Sequence, residues 1–341
     1  MKSIFYFIVF SFCIFSCAAP QVDHGEAKTS LSRYAMGFQL YDLGDSLEVV
    51  IGVEHFKFSK KEGRNKFVIS SSTQLTFLKE LNVFEKISGL FDVNSFSDSL
   101  ITSGLQSGKL MNFKNSASPD WEALAKHKEN LILGYKHFPI DKNTAENLEI
   151  KIIPINEYME EQPLGKAEWI KVLGVLSGKY AQADAIFKTI EARYNAVKFT
   201  AKASGVKVMA GEYYDGYWSV PGSSSYVALM MQDAGGEYLV KNIFESTVQM
   251  NKETFAELMK EAHYWRKLTP MNWPAITLKR EEVKTQFDVY PTHLKGILYC
   301  DVNKTAYFEQ ALLHPDWELE DLIQLLNGAQ AKHFYREIKV D

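Results

Sequence analysis

The segment Gly211–Tyr226, GEYYDGYWSVPGSSSY, gathers Tyr213, Tyr214, Tyr217, Trp218 and Tyr226 around Gly216 and Gly222. Aromatic rings at that density, on a stretch that reads as a long loop from Gly211 to Gly222, offer flat apolar faces to macrocycles, aryl chelators or haem. Tyr213 and Trp218 are the candidate ligand contacts there. The competing use for such rings is to plug the junction between a loop and the body of its domain. Trp273, in the proline-flanked run TPMNWPAI, is a further loop aromatic and a third candidate. Two hydroxyl runs, Ser71-Ser72-Thr73 and Ser223-Ser224-Ser225, each open a helical pattern. Free N–H groups at a helix start favour polar or anionic groups, which makes Thr73 and Ser224 candidate polar contacts. Their other reading is plain helix capping.

Reaction chemistry finds no such constellation. The eight histidines are scattered, and there is no HExxH, no CxxC, no GxSxG elbow, no Walker loop and no dinucleotide fingerprint. No resident cofactor or dedicated metal site is expected. Glu122 and Glu253 occupy matching places in PDWEALAKHKENLIL and NKETFAELMKEAHYW, each in the opening turn of a helix. A carboxylate there is stabilised by the helix dipole, by about 0.3–1 kcal/mol at an exposed site.

The elements that must position these residues are legible from periodicity. Gln162–Val197 carries apolar residues at three-and-four spacing, with Pro163 suited to the first turn and Ser177-Gly178 as a break, so two tandem helices connect two lobes. Before this connector, YAMGFQLYD and SLEVVIGV read as strands around Gly44-Asp45. Phe67 to Ser70 is a strand leading through Ser71 to a helix over Gln74–Leu81, and a helix capped by Ser118 leads into the buried strand LILGY. After it the pattern restarts with VKVMAG, a helix ending at Gly235-Gly236, a helix capped at or beside Asn251, HYWRKL, REEVKTQF, GILYCDV and PDWELEDLIQLL. Alternating strand and helix implies largely parallel sheets with helices on both faces. In such sheets ligands sit beyond the carboxyl ends of the strands, so Ser71–Gln74 and Gly211–Ser225 would face each other across one cleft.

The N-terminus is an export signal. Met1-Lys2 precedes an apolar run, Ile4 to Phe15, too short to span a membrane comfortably, and Ile14-Phe15-Ser16-Cys17 approximates a lipoprotein cleavage box with Cys17 as the lipidated residue. Phe15 departs from the small residue usual there, and simple cleavage near Ser16 or Ala18 is the alternative. With Cys13 and Cys17 belonging to processing, Cys300 stands alone and no disulfide framework exists. The expected organisation is a signal peptide over 1–17, a tether over 18–33, an N-terminal lobe over 34–162, a helical connector over 163–198 and a C-terminal lobe over 199–341. A length of 341 residues accommodates two cores, and a net charge of -4 provides no basic field for nucleic acid.

Five stretches in order, RYAMGF, SSSTQLTFLKELNVFEKISGL, EYMEEQPLGKAEWIKVLGVLSGKYAQADAIFKTIEARYN, WSVPGSSSYVALMMQDAGGEYL and HPDWELEDLIQLL, together resemble the periplasmic substrate-binding lipoproteins of iron-siderophore and vitamin B12 ABC importers. The resemblance covers nearly the whole mature chain. It implies an α/β protein of two similar lobes joined by a long interlobe helix, the class III periplasmic-binding-protein architecture. It also implies a monomer, lipid-anchored in the periplasm, that captures an iron chelate, cobalamin or haem and hands it to an ABC permease served by its ATPase. In that family one surface glutamate per lobe docks on permease arginines, which gives Glu122 and Glu253 a role. Two other functions compete: an exported enzyme, favoured by an acid–base pair in the cleft, and a surface scaffold lipoprotein, favoured by a cleft filled with its own side chains.

Overall fold

Phe67–Ile69, Ile87–Leu90 and Leu131–Gly134 have no exposed residue, as strands covered on both faces require. In the computed structural model, which describes residues 29–60, 66–127, 131–268 and 293–339, they form the centre of a five-stranded sheet. Its order is Lys151–Pro154, Leu131–Gly134, Phe67–Ile69, Ile87–Leu90, Met111–Asn112, parallel throughout. A second five-stranded sheet runs Glu237–Tyr238, Lys207–Ala210, Tyr264–Leu268, Gly296–Cys300, Tyr335–Lys339. Only its last pairing is antiparallel. The two-lobed α/β architecture is thus the one expected, with the closing strand Tyr335–Lys339 as an addition the sequence pattern does not announce. Gln39–Asp42, Ser46–Ile51 and Glu54–Ser59 make a separate antiparallel sheet, one strand more than expected around Gly44.

The connector breaks where its sequence says it should. The first of the two expected helices is itself two, Pro163–Glu168 and Ile170–Ser177, parted at Trp169; the latter ends at Gly178, whose φ of 72° is left-handed, and a helix of 21 residues follows, Tyr180–Thr200. At 1.5 Å per residue it is about 31 Å long and reaches both lobes. Gln182 near its start donates to the carbonyl of Leu81 at 3.3 Å, while Tyr194 donates to Asp233 at 2.6 Å and Arg193 to the carbonyl of Leu313 at 2.9 Å. One apolar cluster runs from the first antiparallel sheet through the connector into the second lobe. A smaller cluster, including Val68, Ile132 and Phe138, covers the other face of the first sheet.

Two buried carboxylates on or beside the connector seize the arm Arg33–Gly37. Glu168 accepts the backbone N–H groups of Arg33 (2.9 Å), Tyr34 (2.7 Å) and Ala35 (2.9 Å) and pairs with the Lys171 ammonium at 2.8 Å. Glu160 accepts those of Met36 (2.8 Å) and Gly37 (2.9 Å) and the indole N–H of Trp169 (2.7 Å). Five successive amides that belong to no strand or helix therefore have charged acceptors, which is why acids are tolerated inside.

Three local expectations change. The helix Trp121–His127 takes its side-chain cap from Asp120, which accepts from Ala123 N at 3.0 Å, and Ser118 lies in a short strand instead. Asn251 does cap Lys252–Glu261, accepting from Thr254 N at 2.8 Å. The aromatic stretch after Gly211 is not a loop. Glu212–Tyr214 and Tyr217–Pro221 form a hairpin around Asp215-Gly216, both at positive φ, and Thr247–Met250 pairs with its second strand. Gly222 follows where a Cβ would lie 1.9 Å from the carbonyl oxygen of Glu245, so only glycine lets that backbone approach.

Candidate functional site

The carboxyl ends of the two sheets meet at a polar seam floored by the connector. On the first lobe Ser71 is the cap of Ser72–Glu80, and Thr73 uses its hydroxyl elsewhere, donating to Glu157 Oε1 at 2.5 Å. Burial pushes the Glu157 carboxyl above its ordinary range, and the bond from Thr73 offsets part of that. Ser72 donates across the seam to Glu309 at 2.7 Å. On the second lobe Ser225 is the cap, accepting from Ala228 N at 3.2 Å, while Ser224 donates to the carbonyl of Phe244 at 2.9 Å and reaches Glu161 at 3.5 Å. Thr73 and Ser224 thus both reach the seam, neither as the cap, and both spend their hydroxyls on protein acceptors.

Lys166 lies between the lobes, its ammonium 3.8 Å from the ring centre of Tyr226. Burial draws its pKa down against the pull of Glu318 and Glu157. Glu318, fully buried, accepts four bonds: Arg266 and Tyr335 at 3.0 Å on one oxygen, Tyr226 and Tyr307 at 2.7 Å on the other. A carboxyl group so saturated has no lone pair in reserve for acid–base work.

Trp218 is the main correction. It is 0 % exposed, stacked on Phe255 with ring centres 3.9 Å apart and 3° between planes, and edge-on to Trp265 at 5.8 Å. The hairpin alternates Trp218 and Val220 inward, against an expectation of ligand contact that rested on an exposed loop. Tyr213, its cross-strand partner, is 47 % exposed and keeps a free face. Glu122 and Glu253 are both exposed in first helical turns. Trp273 and Cys17 lie outside the described residues.

A cavity of about 880 Å³ opens beside the seam, on the first lobe. Asn156, Met159, Glu160 and Glu161 are among its lining residues, and Glu161 is the residue that Ser224 of the second lobe reaches. The loop Tyr135–Phe138 after Leu131–Gly134 makes one wall, the edge strand Lys151–Pro154 another, and the turn Ile51–Phe56 of the antiparallel sheet the outer one. Its volume falls in the range of small-molecule sites, roughly 300–1,000 Å³. None of the sequence candidates among the described residues lines it. The carboxyl-end rule, applied also to LILGY, would have found Tyr135 and Lys136; the contribution of Ile51–Phe56 depends on sheet packing that no local pattern encodes. Among the described residues no three His, Cys, Asp or Glu side chains converge as a metal set, and no helix is long and apolar enough to cross a membrane.

Residues 68–286 match the sequence profile of the family described as periplasmic binding protein. An uncharacterised lipoprotein of Methanocaldococcus jannaschii is 26% identical over 295 residues, covering 81% of this chain and 69% of the relative. Among solved structures, the periplasmic haem-binding protein of Vibrio cholerae superposes with a TM-score of 0.57 at 14% identity, over 77% of this chain and 99% of the other. The petrobactin-binding protein of Bacillus subtilis gives 0.55 at 15% identity, over 80% and 95%. At such identities these structures speak for the fold.

Proposed function

Since the chain belongs to the periplasmic binding protein family, we propose that it is the lipid-anchored substrate-binding protein of an ABC importer, capturing a metal chelate and presenting it to a membrane permease. The observation that supports this most is the cavity of about 880 Å³ at the carboxyl ends of Leu131–Gly134 and Lys151–Pro154, next to the lobe boundary. Apolar walls with charged groups around them suit an iron-siderophore complex, cobalamin or haem. The filled seam at Thr73 and Ser224 is what a scaffold protein would show, but a scaffold has no use for the open cavity beside it. Calorimetric titration with haemin, cyanocobalamin and a ferric hydroxamate tests the reading. One of them binds in the micromolar range or tighter, and Ile152→Trp, which fills the cavity from an edge strand, weakens it tenfold or more. Binding unchanged in that variant moves the site elsewhere.

In this reading Cys17 carries the anchor and Glu122 and Glu253, one exposed acid per lobe, meet basic residues of the permease. Processing of the precursor and uptake of the bound chelate by cells test the two. Cys17→Ser leaves the precursor unprocessed and yields no lipid-modified form, and Glu122→Ala with Glu253→Ala lowers uptake several-fold while leaving affinity intact. Wild-type uptake in the double variant removes the docking role.

A further inference from the structure

His55 is one of the eight scattered histidines, yet the fold gives it a surrounding the sequence does not suggest. It sits on the outer wall of the cavity, and its Nδ1 lies 3.2 Å from Glu48 Oε1, the neighbouring strand's carboxylate. An ionised carboxylate can only accept, so the proton is on Nδ1 and the lone pair on Nε2. Among the described residues no other polar atom engages the ring. A carboxylate behind one nitrogen and a cavity before the ring is the arrangement of a metal-ligating imidazole, oriented by its partner.

We propose that the cavity takes an iron porphyrin, with His55 Nε2 as an axial ligand to the iron; this rests on the cavity being the substrate site. The three chelate classes differ in what they need from protein. A ferric siderophore fills the iron's coordination with its own oxygens, and cobalamin carries its own nitrogenous base. Iron in a porphyrin leaves axial positions that a side chain must occupy. A single, pre-oriented imidazole is useful only to that third class. The remaining lining agrees. Phe56, Phe138 and Ile152 give apolar surface for the macrocycle, Met36 and Met159 add polarisable sulfurs, and Lys142 and Lys151 can meet the two propionates. Glu54, Glu146, Glu160 and Glu161 also line the cavity and keep its wall from being a general anion trap.

Absorbance titration of the full chain with haemin tests this. Wild type gives an imidazole-ligated Soret spectrum; His55→Ala loses that spectrum and tenfold or more in affinity, and free imidazole restores the spectrum. His55 is 63% exposed at its side chain, so the variant keeps its denaturation midpoint. Glu48→Gln, which keeps a bond but not the charge, gives an intermediate affinity. An identical spectrum in His55→Ala, or metal-free protoporphyrin bound as tightly as haemin by wild type, overturns the axial bond. Haemin failing to bind while cyanocobalamin or the ferric hydroxamate binds and is blocked by Ile152→Trp overturns the porphyrin and leaves the proposed site standing. No probe sensitive to Ile152→Trp overturns both.

Discussion

Trp218 and His55 exchange the positions that residue type alone would give them. The tryptophan sits in the most aromatic stretch of the chain and is sealed between Phe255 and Trp265, while an isolated histidine on a short strand faces open volume. The difference lies in strand pairing. Around Trp218 the hairpin gains a third strand, Thr247–Met250, and a helix, Lys252–Glu261, carrying Phe255, so every inward ring meets another ring. Around His55 two sheet edges, Glu54–Ser59 and Lys151–Pro154, approach without pairing, and the space between them stays empty of backbone. Density of aromatic residues reports burial at least as readily as recognition, and unpaired edges make room for ligands.

The largest expected effect tests the sealed side of this contrast. Trp218→Ala removes a fully buried ring with two aromatic partners and should cost about 3–5 kcal/mol, measured by urea unfolding, with chelate affinity unchanged in the folded fraction. Weakened binding at full stability would return Trp218 to the ligand. A middle-sized effect concerns the seam between the two regions. Because the Glu157 carboxyl titrates above its ordinary value of 4.5 when folded, folding takes up a proton there, and stability falls as pH rises from 4.5 through the higher folded value. Glu157→Gln keeps an acceptor for Thr73, flattens that part of the profile and leaves the protein more stable at neutral pH; an unaltered slope would show the carboxyl already ionised in the fold. The smallest effect is local to the second lobe. Asn251→Ala removes the cap of Lys252–Glu261, whose Phe255 backs Trp218, and should cost about 1 kcal/mol, read as lost amide protection at Thr254. A loss as large as that of Trp218→Ala would mean the helix, not the stacked ring, holds the sealed side.

The connector was the most legible part, because an apolar stripe, Pro163 at its start and Gly178 at its break are all local signals. The parallel sheets were legible too, from short apolar runs followed by capped helices, and the family resemblance carried by SSSTQLTFLKELNVFEKISGL and EYMEEQPLGKAEW was borne out by the profile match over residues 68–286. The site was much less so. Thr73 and Ser224 were placed at the right boundary, yet each cap proved to be a neighbouring serine, since three hydroxyls in a row leave the capping geometry to the backbone. Trp218 misled because Asp215-Gly216 signals a hairpin as strongly as a loop, and only Thr247–Met250, nearly thirty residues on, shows that its inner face is covered. His55 carried no signal at all, as its partner Glu48 lies across a strand pairing.

The grip of Glu160 and Glu168 on Arg33–Gly37 also decides how the molecule bears load. Tension on the chain ahead of Ser30 meets five amides bonded to two carboxylates that are themselves braced by Lys171 and Trp169. These bonds are charge-assisted, and they sit on or beside the element that contacts both lobes, so a pull is shared between the lobes instead of peeling Gln39–Asp42 from its sheet. The arm is thereby fastened at the spine of the molecule, and because Met36, Gly37 and Glu160 also line the cavity, the same bonds hold that part of its wall in place.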